Sequence, residues 1–275
     1  MTPKQAEILT AQMLTPFSDE PKSEAKYIVA HLAGCEPNRL LFSNADIKKE
    51  DIEAVVIKRR QGTPLQYILG SWWFYKYEFL VGEGVLVPRQ DTEVLVEAAL
   101  EFIEDIENPS VMDLCSGSGC IAISIAKERE DAQVTAAEKY NEAYEYLLKN
   151  INHNKANNVT PKLADVLDTP FGSFNLIVCN PPYIPLGDKE DLSKEVLSEP
   201  HTALFGGDDG LYFYKEISKN WKQSLKSNGI LAFEVGINEA EDVAEILKAN
   251  GFINIGFKND IIGIQRVVFG TVNNV

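Results

Sequence analysis

The stretch that decides the fold is FNLIVCNPPY, residues 174–183. Its first six residues form a short, largely apolar run that ends abruptly in polar and proline residues. Such a run is typical of a central parallel β-strand that opens into a loop. In open α/β sheets, ligands bind at the carboxyl ends of such strands. The sequence therefore predicts a doubly wound α/β sheet with a functional site directly after residue 179.

The tetrapeptide that follows, Asn180-Pro181-Pro182-Tyr183, has the chemistry of a clamp for a planar NH2 group. The prolines fix two φ angles and remove two donors, so the carbonyls before them point in set directions. The Asn180 side-chain oxygen and the Pro181 carbonyl can accept both hydrogens of an amino group, while the Tyr183 ring packs on the flat group carrying it. We predict that all four residues bind substrate and that Asn180, Pro181 and Tyr183 are catalytic. The alternative, for these four letters alone, is a simple end to a strand.

A glycine turn follows an earlier predicted strand, residues 111–114, and leads into a helical pattern. The turn consists of Cys115, Ser116, Gly117, Ser118 and Gly119. Its glycines let backbone approach a ligand, although a dinucleotide loop, a phosphate loop or a tight turn would look the same. The next predicted strand, residues 133–138, ends in Glu138, whose carboxylate can accept both ribose hydroxyls of a nucleoside cofactor. A surface glutamate at a helix start is the alternative for that position.

Together these motifs resemble a class I S-adenosylmethionine-dependent methyltransferase, and further stretches resemble the HemK/PrmC family. These are RRQGTPLQYILG (59–70), the Pro-Arg-x-x-Thr-Glu signature in PRQDTE (88–93), Glu199-Pro200 and ALFGGDDGL (203–211). The resemblance implies a seven-stranded, doubly wound sheet preceded by a small helical domain. The expected divisions are an N-terminal helical substrate-recognition domain (1–70), a linking β-hairpin (71–88) and a methyltransferase domain (89–275).

Members of this family methylate the side-chain amide nitrogen, N5, of the glutamine in the Gly-Gly-Gln motif of class-I peptide-chain release factors. The resemblance thus implies S-adenosylmethionine as cofactor and S-adenosylhomocysteine as product. The implied cofactor-binding residues are Cys115, Ser116, Gly117, Ser118, Gly119, Glu138, Asp165, Val166 and Asn180. Three alternatives stay open: a different glutamine, as in a ribosomal protein, a nucleic-acid base, or a binding protein without turnover. The intact tetrapeptide argues against the last.

Three positions depart from the family pattern. Cys115 stands where relatives usually have glycine, Glu138 where they have aspartate, and Val166 where an aromatic residue often packs against adenine. A cysteine is acceptable at position 115 if the turn needs no positive φ there. Glu138 keeps the charge on a longer arm. We expect aliphatic packing at Val166 and a lower affinity for adenine.

Composition limits the partners. The 275 residues include 26 Lys and Arg against 41 Asp and Glu, a net charge of −15. Nucleic-acid binding requires several cationic contacts to phosphates, so this charge favours a protein partner over a nucleic acid. The densest basic cluster, residues 58–60, is expected to be a solvated helix end. Four cysteines without paired spacing and three scattered histidines predict reduced thiols and no metal site. With no apolar leader or membrane-length apolar run, we expect a cytoplasmic monomer that does not enter a membrane.

Overall fold

The computed structural model describes residues 1–273, which form two compact units. The first unit comprises Met1–Gly70 together with Ser193–Ser198, and the second comprises Ser71–Leu192 and the chain from Glu199 onward. The α-helices are α1 (Pro3–Leu14), α2 (Pro21–Leu32), α3 (Lys49–Arg60), α4 (Leu65–Leu69), α5 (Glu93–Phe102), α6 (Cys120–Glu128), α7 (Asn141–His153), α8 (Lys194–Leu197), α9 (Tyr212–Asn220) and α10 (Ala240–Ala249). Short 3-10 helices occupy Pro37–Phe42, Gln90–Thr92, Leu186–Asp191, His201–Ala203 and Trp221–Ser224.

The strands are β1 (Ser71–Phe74), β2 (Tyr77–Leu80), β3 (Ser110–Leu114), β4 (Gln133–Glu138), β5 (Val159–Leu163), β6 (Phe174–Cys179), β7 (Leu225–Glu234), β8 (Ile253–Asn259) and β9 (Gln265–Thr271). Seven of them form one sheet in the order β5-β4-β3-β6-β7-β9-β8. The first five strands of that order run parallel, and β9 pairs antiparallel with both β7 and β8. The predicted doubly wound, seven-stranded sheet is confirmed, including the antiparallel pair at its edge.

The order of the sheet reverses between β3 and β6, because the chain proceeds outward from β3 in one direction and from β6 in the other. Helices cover both faces, so the central strands are buried on both sides. In β6 every residue except Asn175 is buried, which explains its continuous apolar sequence. Helix α6 is buried along Cys120–Ala126 and is accordingly apolar all round. The carboxyl ends of β3 and β6 therefore meet at a topological switch point, where ligands bind in this architecture.

The helical unit is built from α1, α2 and α3, each of 12 residues. Helices of this length are marginal alone, so their stability comes from packing of their apolar faces. Leu14, Ile28 and Ile52 supply fully buried side chains to a common core. Helix α1 begins with a capping box in which the Thr2 hydroxyl and the Gln5 side chain bind each other's backbone N–H groups. These contacts define an independent apolar core for residues before Gly70.

Arg59, near the end of α3, is buried, whereas the sequence predicted a solvated basic cluster there. Its guanidinium binds Glu24 on α2 in a bidentate pair, with Nε and Nη2 at 2.8 and 2.9 Å from the carboxylate oxygens. Nη2 also lies 3.2 Å from Glu195 on α8, and Nη1 donates to the Thr63 carbonyl at 2.7 Å. The expectation for Arg59 was wrong because its carboxylate partners are distant in sequence. Burial of a guanidinium requires such partners.

The predicted hairpin is present as β1 and β2, paired antiparallel. Phe74 and Phe79 are buried in the core of the second unit, with their rings edge to face at 6.0 Å. The Asn150 side chain on α7 accepts from the Leu80 N–H at 2.7 Å and donates to the Leu80 carbonyl at 3.0 Å. The hairpin is thus fixed to the rest of the second unit by both packing and hydrogen bonds. Within residues 1–273, no helix is long and apolar enough to cross a membrane.

Candidate functional site

A cavity of about 950 Å³, including its open mouth, lies at the carboxyl ends of β3, β4 and β6. Predicted site residues that line it are Cys115, Ser116, Gly117, Ser118, Glu138, Asp165, Val166, Asn180 and Pro182. Gly119, Pro181 and Tyr183 are outside the lining. The structure therefore brings the glycine turn, both strand-end acids and part of the tetrapeptide to one cavity.

The glycine turn is shaped by three left-handed residues. Gly117 and Gly119 have φ of 54° and 82°, and Cys115 has φ of 57°. The sequence-based condition for a cysteine here, a turn without positive φ, is wrong, so Cys115 is held in a conformation that favours glycine. A Cβ on Gly117 would meet no atom within 4 Å, whereas one on Gly119 would lie 2.5 Å from Leu147 on α7. Gly117 therefore leaves space beside the cavity, and Gly119 allows close helix packing.

Asp113, at the end of β3, supports this turn from inside the protein. It is fully buried, and its Oδ2 accepts from the Ser116 hydroxyl at 2.5 Å and the Ala122 N–H at 3.2 Å. Burial raises the pKa of Asp113 to about 7, although both hydrogen bonds act to lower it. Oδ1 has no hydrogen-bond partner among residues 1–273. The carboxyl group links the strand end, the turn and the first turn of α6.

Glu138, at the end of β4, faces the cavity. Its carboxylate accepts from the N–H groups of Gly117, Lys139 and Tyr140 at 2.8 to 2.9 Å. Burial raises the pKa of Glu138, while these three bonds lower it. Each carboxylate oxygen has two lone-pair directions, so acceptor capacity remains for a ligand. The longer side chain of Glu138 is therefore held by backbone N–H groups of the glycine turn and of the two residues that follow β4.

Asp165 and Val166 form another wall. Asp165 pairs with Lys139 at 2.7 Å and accepts from the Leu167 N–H at 2.9 Å. Val166 is buried, and its carbonyl accepts from the indole of Trp221 at 2.8 Å. These contacts hold an apolar side chain at the cavity wall, as expected for aliphatic packing against a flat group.

Asn180 is tied to the Pro-Arg-x-x-Thr-Glu signature, a link that the sequence did not reveal. Its Nδ2 donates to the Thr92 hydroxyl at 3.3 Å. Thr92 precedes α5, but its side chain makes no capping bond to the first turn of that helix. Arg89 of the same signature pairs with Glu199, which also accepts from the Val87 N–H at 2.8 Å. The signature thus contacts Asn180, through Thr92, and the later residue Glu199, through Arg89.

Glu234, the last residue of β7, is a second residue that sequence reasoning missed. It is fully buried, and the side chains of Thr92 and Asn180 hydrogen-bond to its carboxylate. Burial raises the pKa of Glu234 to about 7, against the effect of these bonds. A carboxylate ending a predicted apolar strand, as Glu138 does in β4, is the signal that could have identified it.

The backbone after Asn180 is braced by the glycine-rich segment of residues 203–211. Ile184 donates to the Leu204 carbonyl and accepts from the Gly206 N–H, both at 2.9 Å. A Cβ on Gly206 would lie 2.5 Å from the Pro182 oxygen, and one on Gly210 would lie 2.3 Å from the Tyr183 oxygen. Only glycine permits this approach without displacing the loop. The Pro181 carbonyl accepts no hydrogen bond from residues 1–273.

No group of three or more potential metal-ligating side chains occurs among residues 1–273. All four cysteines have free thiols. The polar groups at the site are instead carboxylates, an amide and backbone N–H groups, which suit an organic ligand.

Two family models match the chain: the PrmC N-terminal domain at residues 6–70 and the methyltransferase small domain at residues 90–210. A release factor glutamine methyltransferase from Fusobacterium nucleatum is 40% identical over 257 residues, covering 90% of this chain and 72% of that protein. Its counterpart from Thermodesulfovibrio yellowstonii is 37% identical over 253 residues, covering 89% and 90%.

Among solved structures, the hMettl16 catalytic domain in complex with MAT2A 3′UTR hairpin 6 has a TM-score of 0.59 and 12% identity. The match covers 94% of this chain and 84% of that chain, and at this identity it supports the class I methyltransferase fold alone. The sequence relatives and the N-terminal model are more specific. The chain belongs to the HemK/PrmC family of release factor glutamine methyltransferases.

Proposed function

We propose that the protein transfers a methyl group from S-adenosylmethionine to N5 of the glutamine in the Gly-Gly-Gln motif of class-I release factors. The observation that carries this proposal is the position of Asn180. Its amide lies at the switch point of the sheet, on the same cavity as the glycine turn and Glu138. Family membership supports the substrate, since the curated relatives are release factor glutamine methyltransferases.

The residues present fit the cofactor. The open space beside Gly117 admits a ligand close to backbone, and the one lone pair that remains on Glu138 Oε2 can accept from a ribose hydroxyl. Val166 offers an apolar surface for a purine. We assign Cys115, Ser116, Ser118 and Asp165 to the cofactor side of the cavity. Gly119 contributes indirectly by permitting α6 to start there. When bound, the sulfonium cofactor supplies an electrophilic methyl group with a good leaving group.

The chain's task at the acceptor side is alignment. An amide nitrogen is a poor nucleophile because its lone pair is delocalised into the carbonyl. Asn180 Oδ1 and the free Pro181 carbonyl accept its two hydrogens, which orients the nitrogen and stabilises the positive charge it acquires. Pro182 and Tyr183 complete the wall on which the planar group packs. A side-chain general base is unnecessary because the nitrogen's proton becomes acidic as the new bond forms.

The charge of −15 supports a protein partner rather than a nucleic acid, because phosphate contacts need exposed cations. Four free thiols and a translation-factor substrate support a cytoplasmic location. We also propose that the enzyme acts as a monomer, with residues 1–70 recognising the substrate and residues 71–88 linking them to the methyltransferase domain.

The test is methyl transfer from labelled cofactor to intact release factor, followed by mass spectrometry of the modified residue. We expect one methyl group on the Gly-Gly-Gln glutamine and none on a release factor with alanine at that position. The isolated tripeptide should react poorly, because remote contacts supply alignment. Transfer to a ribosomal protein, DNA or RNA without transfer to release factor would overturn the substrate assignment.

A further inference from the structure

Glu234 occupies the sheet edge directly beside the substrate tetrapeptide. In the parallel pairing of β6 and β7, Cys179 is opposite Phe233, so the next residues along the two strands, Asn180 and Glu234, are neighbours. Both emerge at the carboxyl edge, where the cavity lies. Glu234 is 3% exposed and does not itself line the cavity. Its influence on a ligand must therefore pass through another side chain.

Packing alone does not account for a carboxylate at this position. Its Oε2 has no hydrogen-bond partner among residues 1–273. The nearby guanidinium of Arg266 is held by Asp91 at 2.8 Å and by Asp260 at 3.0 Å, so Glu234 forms no ion pair with it. A buried carboxyl group with incomplete bonding is costly, and such groups concentrate at functional sites. The two bonds that it does form lead to Thr92 and Asn180.

The direction of these bonds decides how Asn180 is oriented. An amide can present either its oxygen or its NH2 to a neighbour, and a hydroxyl such as Thr92 can donate or accept, so neither fixes the other. An ionised carboxylate only accepts. An ionised Glu234 accepts from the Thr92 hydroxyl and from Asn180 Nδ2, and Nδ2 also donates to the Thr92 oxygen at 3.3 Å. Asn180 Oδ1 is then free to face the substrate.

We propose that Glu234 is a positioning residue that, when ionised, fixes the flip of the Asn180 amide, both directly and through Thr92, so that Oδ1 accepts from the substrate NH2. This inference rests on the proposed function for its effect on catalysis. A protonated Glu234 can donate instead, which permits the reversed bond order and turns the Asn180 NH2 toward the substrate. The reversed amide would offer donors to an NH2 group that itself needs acceptors.

The model entails a dependence on pH. Asp91 disfavours the charge of Glu234 and Arg266 favours it, whereas burial, with the charge of Glu234 adding to it, raises the pKa of Tyr183, Tyr214 and Cys179, so these three groups carry no charge near pH 7. Burial remains the largest influence, and it places the pKa of Glu234 near 7. Turnover should therefore fall as pH decreases through about 7, because the acceptor-only form is lost.

The first experiment compares Glu234→Gln with the wild type. The amide is isosteric but can donate, so turnover should fall about 10- to 100-fold, a cost typical of a misaligned catalytic group, with cofactor affinity unchanged. The acidic limb of the kcat profile near pH 7 should disappear. Thr92→Val, which removes one of the two contacts, should cause part of this loss, whereas Thr92→Ser keeps the hydroxyl and should retain most of the wild-type turnover. Glu245→Gln, on the exposed face of α10, is the matched control and should behave as wild type.

A double-mutant cycle tests whether Glu234 acts through Asn180. In an Asn180→Ala background, Glu234→Gln should cause no further loss of turnover, because the group to be positioned is gone. An equal loss in both backgrounds would overturn the proposal and would indicate an independent structural or catalytic role. An unchanged acidic limb in Glu234→Gln would overturn it as well.

A measurement without substrate separates this inference from the proposed function. In protein labelled with 15N asparagine, the Asn180 side-chain signals are identified by their absence in Asn180→Ala. They should titrate near pH 7 in the wild type and not in Glu234→Gln. If they titrate but release factor is not methylated, the positioning role stands and the substrate assignment fails. If they do not titrate, the positioning role fails whatever the substrate.

Discussion

Arg89 pairs with the buried carboxylate of Glu199, across 110 residues of sequence. Glu199 also accepts from the Val87 N–H, so it joins the loop before α5 to the segment after the substrate tetrapeptide. Its side chain is 1% exposed, and Arg89 is 38% exposed. Two residues of the Pro-Arg-x-x-Thr-Glu signature thus contact later parts of the chain: Arg89 pairs with Glu199, and the Thr92 hydroxyl accepts from Asn180.

Removal of Arg89 should destabilise the fold, because it leaves a buried carboxylate without its cation. We expect Arg89→Ala to lower the free energy of unfolding by about 1 to 3 kcal/mol, measured by urea denaturation. The control, Lys248→Ala, breaks an exposed pair with Glu245 and should cost less than about 1 kcal/mol. Equal effects for the two variants would show that the Arg89 pair contributes no more than a surface contact.

Cofactor affinity should depend on Glu138. Glu138→Ala removes the proposed acceptor for the ribose and the contact that holds the Gly117 N–H of the turn, so binding of S-adenosylmethionine should weaken by about 1 to 3 kcal/mol in calorimetry. Asp188→Ala, in the exposed 3-10 helix Leu186–Asp191, should bind normally. An unchanged affinity in Glu138→Ala would remove this residue from the cofactor site.

Much of the sheet could be predicted because its signals are local. The strands β4 and β6 have the bounds read from their apolar runs, and the polar residues at their ends, Glu138 of β4 and Asn180 directly after β6, both line the cavity. The partners of Asn180, Arg89 and Arg59 could not be predicted, because each contact joins residues at least 35 positions apart. A local sequence pattern does not indicate which distant carboxylate pairs with a buried guanidinium.

The positive φ of Cys115 could not be predicted from the sequence either. The residue type suggests an ordinary turn, while the bond from the Ser116 N–H to the Ala137 carbonyl and the start of α6 require φ of 57°. The backbone conformation at position 115 therefore favours glycine, although the sequence has cysteine there.

Substitution at Cys115 tests this conformation. A β-branched residue is strongly disfavoured at positive φ, so Cys115→Val should be less stable than Cys115→Gly by about 1 to 3 kcal/mol. Thermal and urea unfolding of the two variants provide the comparison. If the turn were extended at this position, valine would be tolerated and glycine would be the worse residue, which reverses the order.

Stability should depend on the protonation of Asp113. Its pKa rises from 3.8 to about 7 on folding, so the native state binds the proton more tightly. The resulting stabilisation is complete below the unfolded pKa and is lost as pH rises through about 7. Relative to Asp113→Asn, the wild type should lose up to about 4 kcal/mol between about pH 4 and pH 8.

The matched control for Asp113 is Ser124→Ala, which removes a buried hydroxyl that lacks a hydrogen-bond partner. Because serine does not titrate, the difference between this variant and the wild type should stay constant over the same range. A constant difference for Asp113→Asn as well would mean that the carboxyl group is ionised throughout.

Catalysis should distinguish Asn180 from Tyr183. Asn180→Ala removes an acceptor for the substrate amide and should lower kcat on the order of 10²-fold or more, with cofactor binding retained. Tyr183→Phe should be much milder, because the ring is largely buried and its assigned role is packing, which phenylalanine preserves. Tyr183→Ala, which removes the ring, should reduce turnover more than Tyr183→Phe.

These rates are measured with intact release factor at saturating cofactor, after calorimetry has confirmed that each variant binds it. A folded Asn180→Ala enzyme with near-normal kcat would contradict the amide clamp.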